Sequence, residues 1–549
     1  MYIRQISRKN KDGSTVTYVQ LAHNERDPQK GFAVAKVLYN FGRLEELDID
    51  QLKRLVKSIS RFLKPEDVLE AKASLELPTA SIKWKSCRQF GGIYLLASLW
   101  SKLHFGSILS KRIQAKQYTT PIIQAVFAMV ANRCLAPSSK LAISEWVEKS
   151  VYIPDLPRLD VQVLYRAMDF LLEHQSSLEQ EIYWSIANML NLDVDILFFD
   201  TTSSYFETED LSALKQRGYS KDKRSDLPQV VIGLAVTRDG IPVKHWVFPG
   251  NTADMATIDQ VKQDLVGWRL GRCILVHDAG MTSEANLQYL QRGGGHYIVG
   301  RKLKSGEAEA EAALSQKGPY TQINEKLFAK EIMLGAGVKR KRLVLVKNVD
   351  EEERAKKVRQ SIITVIEQKL EHANRRRSSS HTKEVCELQS HPVYSRYIKE
   401  LKHGQLKIHK TRVAADGRFD GKFLIETSDE TLSMTDVVLG YKQLNDVEKA
   451  FRSLKTTLEL RPNYHSRDDR IRCHIFLCFL ALVLARIVES KTGLSWSKIR
   501  DELNRIHVGE FRHQGKTISL MTELTQKQQA ILAAMDIKEP STVVGIQLE

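Results

Sequence analysis

Apolar and polar positions change period several times along the chain, and each change predicts a different element. They alternate over 16–21 and 32–38, on either side of the turn-rich stretch 24–31, which is the pattern of a β-hairpin; a short helix is expected to follow before about residue 65. From about 88 to 192 the spacing becomes helical, with Ser138 and Ser139 placed to cap a helix over 140–151 and Asp160 to cap one over 161–174. A continuous apolar run at 194–199 then predicts a buried strand. Two more are expected at 229–236 and 241–248, joined by Arg238-Asp239-Gly240, a turn of the hairpin-forming Asp-Gly type. Helices follow at 254–266 and 282–292, and strands at 272–276 and 296–300, the last after the glycines 293–295.

The resulting order, βββαβαβ, is a three-strand meander followed by helix-connected strands, the topology of the ribonuclease H fold. Residues 301–425 break that order with mixed patterns: a basic helical stretch over 351–377, a loop at 375–380 and strand-like segments ending at 423–426. We read them as an insertion. Helices return over 433–458 and 470–491, before a polar C-terminal region carrying Trp496. The expected fold class is therefore α/β: a ribonuclease H-like core interrupted by a β-rich insertion. The expected domains are a β-hairpin and helix at 1–65, a helical region at 66–192, the core at 193–300 and 426–490 around the insertion at 301–425, and a helical end at 491–549.

At 549 residues the chain is too long for one core, which favours such a modular layout. Its 82 Lys and Arg against 66 Asp and Glu leave a net charge of +16, so a polyanionic partner is expected, nucleic acid ahead of a membrane surface. The helical region at 66–192 is then the expected DNA-binding module. Basic clusters at 221–224, 339–342 and 375–377 either neutralise phosphates or form solvated faces. The longest apolar run, 475–485, is bounded by Arg472 and Arg486 and reads as a buried helix too short to cross a bilayer. Six cysteines without a CxxC pair suggest reduced thiols, and a polar, basic start without an apolar stretch argues against secretion. A cytoplasmic, nucleoid-associated protein is the expectation.

Chemistry enters with three carboxylates. Asp200 follows the apolar run 196–199, Asp278 follows 273–277, and Glu448 lies in a helical stretch in which Tyr441, Glu448 and Lys455 recur every seven residues. A seven-residue repeat drifts by only about 20° per step, which puts all three on one helix face. Phosphodiester chemistry with two divalent ions about 4 Å apart needs such oxygen ligands. Taken singly, each carboxylate reads more readily as a turn former, a cap or a solvated surface residue than as a metal ligand. His277 either polarises a water or is a satisfied core histidine, Asn251 fits a turn, and Trp246 and Trp496 fit core packing better than base stacking.

The set as a whole resembles a known family. Tyr441-x2-Leu444-x3-Glu448-x6-Lys455 is similar to the Tyr-x2-Arg-x3-Glu-x6-Lys signature of DDE transposases of the insertion sequence 4 type. The flanking Phe419-Asp-Gly-Lys-Phe and Leu460-Arg-Pro are similar to its 1634 branch. The resemblance extends to Phe198-Phe-Asp-Thr-Thr, Pro249-Gly-Asn-Thr-Ala-Asp and Val276-His-Asp-Ala-Gly, covering about 190–490. It implies Asp200, Asp278 and Glu448 as a metal-binding triad holding two Mg²⁺ ions, with Mn²⁺ as a substitute. It also implies an insertion between Asp278 and Glu448, and contacts of Tyr441 and Lys455 with transposon-end phosphates. Leu444 departs from the signature's Arg: either Arg452, one turn beyond Glu448, substitutes for it, or Arg452 pairs with Glu448 while Leu444 packs.

The expected function is cleavage at mobile-element ends and strand transfer into target DNA by a homodimer on paired double-stranded ends, with no membrane involved. Two alternatives share the sequence: a nuclease that does not join strands, and an inactive sequence-specific repressor.

Overall fold

A computed structural model describes the chain apart from residues 11–14, 27–31, 63–82, 115–119, 193, 271–272, 293, 305–306, 338–339, 376–378, 402–405, 514–515 and 549. It forms two compact units. The first comprises 1–85, 511–518 and 547–549. In it β1 (Tyr2–Lys9), β2 (Thr15–Arg26) and β3 (Ala33–Arg43) make an antiparallel sheet in that order, and helix α1 (Ile49–Ile59) follows. This is one strand more than the expected hairpin. The side chains of β1 are almost all exposed, so no core face marks it in the sequence; its pairing with β2, from Tyr2 opposite Ala22 to Lys9 opposite Thr15, defines it.

The second unit comprises 86–510 and 519–546. After β4 (Lys83–Gln89) come the helices α2 (Gly91–Lys102), α3 (Phe105–Gln114), α4 (Ile122–Leu135), α5 (Lys140–Lys149), α6 (Val161–Glu173) and α7 (Gln175–Leu190). The Ser139 side chain caps α5 by accepting from the Ala142 N–H, and Asp160 caps α6 by accepting from Val163. The sheet follows: β5 (Ile196–Tyr205), β6 (Gln229–Val236), β7 (Pro242–Pro249), α8 (Ile258–Gly267), β8 (Ile274–His277), α9 (Glu284–Gln291) and β9 (His296–Arg301). In space the strands run β7-β6-β5-β8-β9, with β5, β6 and β7 antiparallel and β5, β8 and β9 parallel. Every residue of β6 is buried, so both faces of the sheet are covered.

The inserted segment, expected to be β-rich, mixes strands with helices, and four of its strands extend the core sheet. Its elements are α10 (Ala308–Ser315), β10 (Thr321–Gln322), β11 (Leu327–Leu334), β12 (Lys341–Asn348), α11 (Val349–Arg375), α12 (Ser379–Ser390), β13 (Ile398–Glu400), β14 (Leu406–Ile408), α13 (Lys410–Gly417) and β15 (Lys422–Thr427). β15 pairs antiparallel with the open edge of β9, and β12, β11 and β10 follow it, so one sheet of nine strands results. Capping the edge of β9 satisfies its backbone groups. The rest of the insertion is chiefly the helix pair α11 and α12, packed through Ile363, Ile366, Leu370 and Leu388.

The chain ends with α14 (Met434–Lys442), α15 (Asn445–Arg452), α16 (Asp468–Thr492), α17 (Trp496–Leu503), β16 (His507–His513), β17 (Lys516–Met521), α18 (Gln526–Ala534) and β18 (Val543–Leu548). The region after 491 is thus not purely helical; in β17, Thr517, Ser519 and Met521 are buried in alternation, a strand period. By length and composition α16 would cross a bilayer, but 89% of its most apolar window is buried inside the protein. It packs on α4, α6 and β7, so the N-terminal helices and the sheet share one hydrophobic core. Trp246 and Trp496 are buried, donating to Asp264 Oδ2 and the Cys134 carbonyl, both at 2.8 Å.

Candidate active site

Strand β5 outruns β8. Phe198 lies opposite Val276 and β8 stops at His277, so Asp200 and Asp278 each stand two residues past that aligned pair, on neighbouring parallel chains. On its other side Asp200 is opposite Leu234 of β6. Burial pushes the Asp200 carboxyl up to about 6; Lys221 and the Thr201 backbone N–H, which donates to Oδ1 at 2.7 Å, oppose the rise, while Asp254 and Asp278 add to it.

Lys221 provides the local counter-charge. Its Nζ lies 3.5 Å from Asp200 Oδ1 and 3.4 Å from Asp254 Oδ2, and donates to the Thr201 carbonyl at 2.7 Å and Oγ1 at 2.9 Å. Thr201 Oγ1 in turn donates to Asp254 Oδ1 at 2.5 Å. Two loops bring these groups together, and Gln229 ties the loops by donating from Nε2 to the carbonyls of Tyr219 and Gly250, each at 2.9 Å. Glycine is required at 250, where a Cβ would stand 2.0 Å from the Gln229 carbonyl oxygen. A cavity of about 210 Å³ opens here, lined by Thr201, Ser203, Tyr219, Lys221, Asp254 and Met255 among others.

Asp278 accepts from the Tyr441 hydroxyl at 3.3 Å. Tyr441 reaches it by passing Gly300, where a Cβ would meet its hydroxyl at 2.3 Å. Burial chiefly, then the charges of Asp278 and Glu448, push the Tyr441 phenol up, which keeps it a neutral donor and puts Glu448 within electrostatic reach. His277 is fully buried, and burial lowers it to about 4, so it is neutral at pH 7 with Nδ1 3.1 Å from the Asp278 carbonyl oxygen. Its Nε2 is buried without a hydrogen-bond partner, so the ring is a core histidine that is not fully satisfied.

Glu448 is exposed on α15, which packs across β5 and β6. The single helix expected over 433–458 is instead three segments. Bonds of the i→i+3 type, Leu444 N–H to Tyr441 carbonyl (3.2 Å) and Val447 N–H to Leu444 carbonyl (3.1 Å), tighten the junction after α14. A π turn over Ser453–Thr457 follows α15, closed by Leu458 N–H to Ser453 carbonyl at 3.0 Å. Tyr441, Glu448 and Lys455 therefore sit on successive segments rather than one regular helix face. Leu444 packs against the core, while Arg452 is exposed and makes no ion pair with Glu448 among the described residues. Lys455 is largely buried, its Nζ 3.0 Å from Asp222 Oδ1, and Arg461 reaches the same carboxylate at 2.7 Å.

The acidic groups gathered here offer only oxygen donors, the kind a hard divalent cation takes. Among the described residues no three His, Cys, Asp or Glu side chains converge closely enough to hold one ion, and the Lys221 ammonium lies between two of the carboxylates. The sequence reading missed Lys221, Asp222 and Asp254 as site residues. Lys221 stood in a basic cluster and Asp254 at the end of the Pro249-Gly-Asn motif, but nothing local pairs them. Of the other basic clusters, Lys341 and Arg342 are ion-paired to Glu284, Glu309 and Glu331, while Lys339, Arg376 and Arg377 lie outside the described residues.

A family model described as a transposase DDE domain matches residues 193–484, and one for the N-terminal domain of IS1634 family transposases matches 3–71. No curated protein matches. Among solved structures, the cryo-EM structure of the piggyBac transposase synaptic complex with hairpin DNA aligns with 74% of this chain and 79% of its own, at 10% identity and a TM-score of 0.36. The first family model spans more than half of the chain and contains Asp200, Asp278 and Glu448 within its bounds, and the second adds the N-terminal domain of the IS1634 type near the start; this chain belongs to the DDE transposases, enzymes that act on DNA.

Proposed function

We propose that Asp200, Asp278 and Glu448 are the catalytic triad of a ribonuclease H-like core, and that it cuts the ends of a mobile element and joins them to target DNA. The observation that carries this reading is the exit of Asp200 and Asp278 from adjacent parallel strands, with the helix of Glu448 packed across β5. The strand order β7-β6-β5-β8-β9 supports the ribonuclease H-like assignment. The three carboxylates would hold two divalent ions, Mg²⁺ or Mn²⁺, which supply charge neutralisation at the scissile phosphate and an activated oxygen nucleophile.

The chain's own groups do the rest. Lys221 neutralises Asp200 and Asp254 before substrate arrives, and Thr201 fixes the orientation of Asp254. Tyr441 holds the Asp278 carboxylate through its hydroxyl. Lys455 and Arg452 contact end phosphates, with Lys455 exchanging Asp222 for phosphate. Paired double-stranded ends are bound by a homodimer, because coordinated cutting of two ends needs two sites. The helices of 91–190 provide the DNA-binding region, and the protein works in the cytoplasm at the nucleoid.

Incubation with plasmid carrying the element's own flanking sequences, in Mg²⁺ and in Ca²⁺, tests this beside Glu448→Ala. Cuts at the ends and joined products in Mg²⁺, absent in the variant, are expected. Cutting without joining would make the protein a nuclease, and binding without cutting in either ion would leave the repressor.

A further inference from the structure

A second cavity, of about 530 Å³, opens beside the loop that follows the π turn. Arg133 of α4, Lys140 of α5, Tyr165 of α6, Tyr464 and His465 of the loop, and His474 of α16 line it. Its charge is unusual. Arg133 and Lys140 are only 5% and 4% exposed, and neither meets a carboxylate among the described residues. Arg133 donates to the carbonyls of Glu459 (3.0 Å), Leu458 (3.4 Å) and Ser138, leaving its buried Nε without a partner. The Lys140 side chain makes no hydrogen bond or ion pair among the described residues. Glu459 also lines the cavity, but it is its backbone carbonyl that engages Arg133.

Burying an unpaired ammonium costs several kcal/mol unless something neutralises it. Burial, with the Arg133 charge adding to it, lowers Lys140 to about 8, so it still carries its proton at neutral pH. His465 and His474 are held neutral, by burial first and the same cations second, and contribute no charge. The cavity is therefore built around two fixed cations facing an open volume. At its rim Tyr464 is 79% exposed and Leu141 71%. The loop that carries Tyr464 and His465 continues directly from the segment bearing Glu448 and Lys455.

We propose that this cavity binds a phosphate of the DNA backbone, with the Lys140 ammonium as the anion contact, the charge of Arg133 behind it and Tyr464 flanking the adjoining nucleotide. The phosphate supplies the missing counter-charge, and the exposed ring favours a nucleic acid over a free inorganic ion. This rests on the reading of the chain as an enzyme acting on DNA. It does not depend on which residues cut.

Two binding measurements on the full chain test it, with Lys140→Gln, Lys140→Arg and Tyr464→Ala. Inorganic phosphate should raise the Tm of the unaltered protein more than chloride at equal ionic strength; Lys140→Gln should abolish that rise and Lys140→Arg should keep it. Removing one phosphate contact should lower the slope of log affinity for duplex DNA against log salt by about one. Tyr464→Ala should weaken DNA binding with the slope unchanged. Without phosphate, Lys140→Gln should raise Tm, since it removes an uncompensated buried charge, whereas a merely structural lysine would lower it. A phosphate shift with an unchanged DNA slope in Lys140→Gln would overturn the assignment to DNA, and no phosphate shift at all would overturn the site. Failure of the unaltered protein to cut DNA would sink the triad and leave both readouts standing.

Discussion

At the scale of single residues, the site depends as much on two glycines as on its carboxylates. Gly250 lets the loop bearing Asp254 lie against the Gln229 carbonyl, and Gly300 lets Tyr441 reach Asp278. Gly250→Ala should cost about 1–3 kcal/mol of stability by overpacking and should also reduce cleavage; denaturant unfolding beside an end-cleavage assay checks both. A second residue-scale effect concerns acid. Burial, with Lys140 nearby, lowers His465 from 6.5 to about 4, so the folded state resists its protonation. Its contribution to stability is therefore complete above pH 6.5 and is lost as pH falls through about 4. Tm measured across that range should fall less steeply for His465→Gln than for the unaltered protein. Asp200, Asp278 and Glu448 could be picked out in the sequence because apolar runs or a spaced signature frame them. Lys221 and Asp254 could not, because a clamp through Gln229 brings them together from separate loops.

Between elements, buried polar links fix how helices meet the sheet. Glu179 of α7 is 2% exposed and pairs with His245 Nδ1 and with Lys244 Nζ (3.4 Å) of β7, while Lys244 also lies 4.5 Å from the centre of the Trp268 ring. Removing the acid leaves the buried Lys244 with Asp264 Oδ2, 3.7 Å away, as its remaining carboxylate, so Glu179→Gln should destabilise the protein, but by less than the about 3–5 kcal/mol of a fully stranded buried cation, read by chemical denaturation. Most strands of the first half were legible from period and turn residues: 229–236 matches β6 residue for residue. What escaped was pairing at a distance. The Leu424–Arg301 register between β15 and β9 joins strands more than a hundred residues apart, and no local pattern encodes which edge a strand will take. The kinked segments after Tyr441 escaped for another reason: their dihedrals stay right-handed helical while only the hydrogen-bond step changes.

Across the whole molecule, an excess of 16 positive charges sets the range of attraction for DNA. If six or more phosphates are contacted, affinity for a non-specific duplex should fall by about a thousandfold or more between about 50 and about 200 mM salt, measured by fluorescence anisotropy. A slope corresponding to one or two phosphates would mean that the charge is spread over surfaces that do not meet DNA. The segment α16 carries a further consequence, for synthesis. It completes the core of the helices before residue 190 and also covers β7, yet it ends at Thr492. Neither partner can close until the ribosome has released the residues up to Thr492. A product truncated by a frameshift before that point would leave both halves open, and would be removed as an unfolded protein before it could occupy DNA ends in place of the full enzyme.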